Sequence, residues 1–157
     1  MPVFSRHWLP PGQQAVAWAN PSQLRATGPV LQVTISIPAA LAAQLQQTQT
    51  PIPNPHTGLG LIDTGASFTT VDDGVFQALG LNPTGTMSVK TPSGTAQQPT
   101  YDCEISFPGT PLPTLPGKGV AGSQLAGMGY SALIGRDLLN FCQLVYNGVE
   151  GIWTIAF

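Results

Sequence analysis

The chain has 157 residues, a formal net charge of −2 and only five Lys and Arg residues, too few cations for the phosphate-neutralising face that a nucleic-acid partner demands. Hydrophobic residues make up 42% and charged residues 8%, with 18 glycines and 16 prolines, which predicts one mainly β domain of short strands and many turns. No apolar run reaches the roughly eighteen residues of a membrane span, and Met1 to Gly28 lacks a charged n-region ahead of an apolar core, so no signal peptide is expected and a cytoplasmic location follows by default.

So few charges suit a chain with an apolar surface to bury against a partner. Cys103 and Cys142 are too few for a disulfide framework and lack metal-ligand spacing; two buried thiols are expected, with a single bridge left open. His7 and His56 lie in proline-rich stretches away from other ligands, so neither a metal nor another cofactor is expected.

Residues 1–29 carry Trp8 and Trp18 among Pro, Gln, Ala and Asn, and read as an N-terminal arm docked on a surface. The domain proper is expected over 30–157. Val30 to Ile37 alternates β-branched and polar residues, a half-buried strand stopped by Pro38. Ala39 to Gln47 is rich in Ala, Leu and Gln, and Pro38 suits the start of a short helix there. Thr48 to Thr57, with three prolines, predicts an exposed loop.

Gly58 to Ile62 is a strand that delivers Asp63 onto a Thr64-Gly65 turn. Its glycines do not complete Gly-x-Gly-x-x-Gly, and no Gly-Lys-Ser/Thr follows, so phosphate binding is dismissed. An acid at a strand end, with hydroxyls beside it and a glycine admitting close backbone, is placed for chemistry, although Asp and Gly are also ordinary turn residues. Asp72 caps a predicted helix from Asp73 to Leu79, ended by Gly80. Thr86 to Lys90 and Gln97 to Phe107 predict a hairpin around Thr91-Pro92-Ser93-Gly94-Thr95, with Asp102 and Glu104 on a solvated face beside Cys103. A strand is expected near Val120 to Leu125. Ala132 to Ile134 then leads through Gly135 into a short helix, Arg136 to Phe141, and a closing hairpin ends the chain at Phe157.

Two stretches, Asp63-Thr64-Gly65-Ala66-Ser67 and Ile134-Gly135-Arg136-Asp137-Leu138-Leu139, together resemble the retropepsin-like aspartic proteases, the single-domain family that includes the retroviral enzymes. The resemblance covers about residues 30–157. It implies a closed β-barrel with a flap hairpin and a short C-terminal helix, acting as a homodimer on peptide or protein substrates. Asp63 would be the catalytic acid, and Thr91 to Thr95 the flap. Thr64 would hydrogen-bond across the dimer, Gly65 would leave room for substrate backbone, and Gly135, Arg136 and Asp137 would pack behind the acid. Relative to the retroviral enzymes, residues 38–57 are an insertion. Ala66 stands where some relatives place a serine against the carboxylate; lacking that donor, a mildly acidic optimum is expected. Ser67 stands where retroviral enzymes often have an aspartate paired with the arginine, and it cannot neutralise Arg136.

Only one Asp-Thr-Gly exists, whereas metal-free peptide hydrolysis takes one carboxyl as base and a second as acid. The second must come from another copy across a two-fold axis. The alternative is a non-catalytic dimeric peptide-binding or assembly module of the same fold.

Overall fold

The computed structural model describes residues 2–7, 20–91 and 94–157. Trp8, Trp18, Pro92 and Ser93, singled out above, lie outside the described residues. Strand β1 (Val3–His7) and helix α1 (Pro21–Thr27) come first, then β2 (Val30–Ser36), α2 (Ala39–Gln47) and β3 (His56–Ile62). Next are β4 (Thr70–Asp72), α3 (Asp73–Ala78), β5 (Gly85–Thr91), β6 (Gly94–Ser106) and β7 (Leu115–Ser123). A 3₁₀ turn at Ala126–Met128 precedes β8 (Ala132–Ile134), α4 (Arg136–Leu139), β9 (Gln143–Asn147) and β10 (Ile152–Ala156). The protein is mainly β, and no helix among the described residues is long and apolar enough to cross a membrane.

The described strands form two sheets. One is ordered β1-β10-β9; the other is ordered β2-β3-β8-β4-β7-β6-β5, with a further pairing of β2 to β6. The pairs β3–β8 and β4–β7 are parallel, so the larger sheet is mixed. The alternation read in β2 holds: Val33 and Ile35 are buried while Gln32 is exposed. Around them the core gathers Leu24 from α1, Phe76 from α3, Ile105 from β6 and Trp153 from β10. Phe76 stacks on Tyr101 with ring centroids 4.0 Å apart. A buried Phe of this kind stabilises by about 1.5–3 kcal/mol through area alone.

Several boundaries move. The strand expected near 120–125 is Leu115–Ser123, because pairing with β6 carries it back through Pro116 to Leu115. The helix after Gly135 stops at Leu139 rather than Phe141, and Phe141 is exposed. Strand β3 starts two residues early, at His56, through its pairing with Ile35. Asp102 and Glu104 are not merely solvated. Asp102 Oδ1 accepts the Gly119 N–H at 2.9 Å, and Glu104 Oε1 accepts the Ala39 N–H at 3.2 Å. The latter supplies α2 with the side-chain cap that Pro38 cannot offer.

The parallel β3–β8 pair is what builds the site. Its register sets Ile62 beside Ile134, so the segments that follow, Asp63 and Gly135, leave the sheet side by side. The Asp63 N–H donates to Ile134 O at 3.0 Å, continuing the ladder by one step.

Candidate active site

At the end of β3 the chain turns back on its own acid. Asp63 Oδ1 accepts the Gly65 N–H at 2.8 Å and the Ala66 N–H at 3.2 Å. No side chain or backbone group among the described residues donates to Oδ2. Asp63 is half-buried, while Thr64, Gly65 and Ser67 are exposed. The carboxylate is thus fixed through one oxygen.

The second motif fastens the loop from behind. The Arg136 N–H donates to Ala66 O at 3.0 Å. Its guanidinium donates through Nη1 to Thr64 O at 2.7 Å and Gly65 O at 3.1 Å, and through Nη2 to Ser67 Oγ at 2.7 Å. Ser67 therefore meets Arg136 directly, as a neutral partner.

Asp137 points elsewhere. Its Oδ1 accepts the Thr69 N–H at 2.9 Å, the Thr69 hydroxyl at 2.8 Å and the Leu138 N–H at 2.9 Å. Thr69 Oγ1 in turn accepts the Gly135 N–H at 3.0 Å. Thr69 is fully buried, so each of these bonds replaces one that water cannot supply. The loop and the Gly-Arg-Asp turn touch closely at Gly135, where an added Cβ would lie 2.4 Å from the carbonyl carbon of Phe68. Only glycine fits.

In front of Asp63 lies a cleft of about 600 Å³. Its walls are Phe68 and Thr70 beyond the acid loop, Ala121, Ser123 and Leu125 on and after β7, and Leu133 on β8. Ser88 and Val89 of β5 and Gln98 of β6 close the remaining side. The stem of the hairpin that carries Thr91, Gly94 and Thr95 thus faces the same space as Asp63. Thr91 pairs with Gly94 at its end.

Two residues hold this site together that the motifs did not single out for the task. Thr69 is one. Asp72 is the other: beyond capping α3 through Gly74 N–H at 2.9 Å, its Oδ2 accepts the N–H groups of Leu125 and Ala126 at 2.7 and 2.8 Å. Leu125 is a wall of the cleft, so the helix cap also sets the wall. The only sequence signal was an acid at a helix start, which gives no hint of a partner some fifty residues away.

Neighbouring Asp73 has one oxygen shut off from solvent without a hydrogen-bond partner among the described residues. Burial, then the adjacent Asp72 charge, raises its carboxyl above the ordinary range. Both cysteines are free thiols. Burial, helped by Asp102 and Glu104, pushes Cys103 up to about 12, and burial pushes Cys142 up to about 11. Neither is a thiolate nucleophile near neutral pH. Among the described residues no three His, Cys, Asp or Glu side chains gather as metal ligands.

No protein-family profile matches the chain, and no curated protein matches it. Among solved structures the chain is similar to the crystal structure of a retropepsin-like aspartic protease from Rickettsia conorii. The two are 16% identical with a TM-score of 0.36, over 81% of this chain and 91% of that one.

Proposed function

We propose that the chain is an aspartic endopeptidase with a retropepsin-like fold, working as a homodimer whose two Asp63 carboxyls activate one water between them. The observation that carries this reading is the setting of Asp63: a carboxylate held by two backbone N–H groups on Oδ1, at the edge of a peptide-sized cleft. The succession of pairings from β2 round to β6 and back to β2 supports a closed barrel. The β5–β6 hairpin beside the cleft, whose last described pair is Thr91 with Gly94, supports a flap.

One chain brings one carboxyl, and the reaction takes two. Two carboxyls about 3 Å apart share a single proton and titrate as a pair. The ionised one removes a proton from water as the water oxygen attacks the peptide carbonyl carbon. The protonated one gives its proton to the carbonyl oxygen. Collapse of the tetrahedral species then expels the amine, which takes up a proton. In this scheme Thr64 and Gly65, both exposed, face the second copy and the substrate backbone. Ala66, Ser67, Gly135, Arg136 and Asp137 hold the loop. Residues 30–157 form the protease domain, and 1–29 the arm that reaches it through β1.

The test is cleavage of a mixed peptide library from pH 4 to 7 by the parent and by Asp63→Asn, with mass measured by light scattering. The Asn side chain can still accept on Oδ1, so the loop is kept while the acid is lost. Cleavage by a dimeric parent and none by the variant is expected; equal cleavage by both would overturn the reading. The second reading, a peptide-binding module, draws on the single carboxylate that each copy holds, and a dimer that binds peptides without cutting them would select it.

A further inference from the structure

Behind the Ser67 wall of the cleft stands the Arg136 guanidinium, which no Asp or Glu side chain among the described residues neutralises. The chain has seven Asp and Glu residues, and their positions account for all of them. Asp63 holds its own loop, Asp72 spans α3 and the Leu125 segment, and Asp137 holds Thr69. Asp102 meets Gly119 and Glu104 meets Ala39. Glu150 accepts from Asn147 Nδ2 at 3.0 Å. The shut-off oxygen of Asp73 lies where a Cβ on Gly122 would fall. None pairs with Arg136.

The guanidinium of Arg136 is exposed, and its three bonds go to two carbonyls and a hydroxyl. Those bonds use Nη1 and one N–H of Nη2, so among the described residues Nε–H and the second Nη2 N–H have no partner. Its hydroxyl partner, Ser67, is itself part of the cleft wall. Apart from Asp63, the described lining of the cleft carries no charge. A full positive charge with spare donors therefore stands one short side chain behind the wall, and carboxylates are the groups that planar guanidinium forks bind best.

We propose that Ser67 and Arg136 form an anionic subsite, which selects peptides carrying a glutamate or aspartate side chain at an outer position. This rests on the peptidase reading of the same cleft. The Asp63 charge repels a carboxylate placed next to it, so the acidic residue sits toward Ser67 and away from the scissile bond. A two-fold site repeats the preference on both sides of that bond.

The test scans Glu, Gln and Lys through each position of one cleavable peptide at pH 6, where a peptide glutamate is ionised. At the outer position the parent is expected to favour Glu over Gln by about three- to five-fold in kcat/KM, as for other solvent-facing ion pairs. The gain falls on KM, and it fades in 0.5 M salt. Ser67→Asp supplies the missing counter-charge and should abolish or reverse the preference. Ser67→Ala keeps the cation and should retain it. A parent indifferent to Glu, or a preference that survives in Ser67→Asp, overturns the subsite. Fluorescence anisotropy of the same peptides on Asp63→Asn separates the two readings. Tighter binding of the Glu peptide without cleavage by the parent would keep the subsite and end the peptidase reading. Absence of binding by any peptide would end both.

Discussion

Asp137→Ala is the perturbation that tests the architecture most directly. The side chain removed accepts three hydrogen bonds on one oxygen, two of them from Thr69. Thr69 is fully buried, so its N–H and hydroxyl lose their partner with no water to replace it. An unpaired buried donor costs about 1–3 kcal/mol. Two such donors bring the loss to roughly 3–5 kcal/mol, while the Leu138 N–H keeps its bond to Gly135 O at 3.2 Å. For a chain of this length that lowers Tm by roughly 10 °C. Asp137→Asn retains an acceptor oxygen and should lose only about 1 kcal/mol, the charge-assisted part. Urea unfolding measures both, read at constant m so that the shift in midpoint is a shift in stability. Thr69→Val closes a double-mutant cycle, and its coupling to Asp137→Ala should exceed about 1 kcal/mol. A loss below 1 kcal/mol for Asp137→Ala, or additive single variants, would refute the view that Thr69 and Asp137 bind the two motifs together.

Other outcomes follow from single groups. Asp73 binds its proton more readily folded than unfolded, so its contribution is complete below the ordinary carboxylate range and is lost as pH rises through the raised folded value. Asp73→Asn should therefore gain stability relative to the parent as pH rises from 4 to 7, and a constant difference across that range would contradict the sign. Cys103, buried with its thiol pushed up to about 12, should resist iodoacetamide at pH 8 in the native protein yet react fully in urea, as intact mass will show. Gly135→Ala drives a methyl against the Phe68 carbonyl, and a loss of about 3 kcal/mol or more is expected in the same urea assay.

The sequence disclosed the elements whose cause is local. Alternation in Val30–Ser36, the Ala-Leu-Gln run of Ala39–Gln47 and the Asp72 cap of α3 each follow from neighbours within a turn or two, and they stand where expected. The two motifs were legible as patterns, and β3–β8 pairing brings them together. What stayed hidden depends on partners far along the chain. The Asp137–Thr69 link spans 68 residues, and the Asp72–Leu125 link spans 53. Glu104 caps a helix 65 residues before it. No periodicity encodes such pairs, since each depends on how sheets align rather than on what a segment prefers. The β1 strand was missed for the same reason: Val3–His7 becomes a strand only by lying along β10.

That last pairing has a kinetic consequence. Val3 meets Ala156, and His7 meets Ile152, so β1 finds its neighbour only once β10 has been made. The acid loop waits too, because its fastening at Gly135 to Asp137 lies across the parallel crossover from β3. Closing such long loops costs entropy before any contact offsets it, which makes folding slow and its last steps decisive. A nascent chain that has already made Asp63 still lacks the arginine and threonine–aspartate link that hold it in place. The Asp63 loop is thus fastened only after the Gly135 to Asp137 segment has joined it.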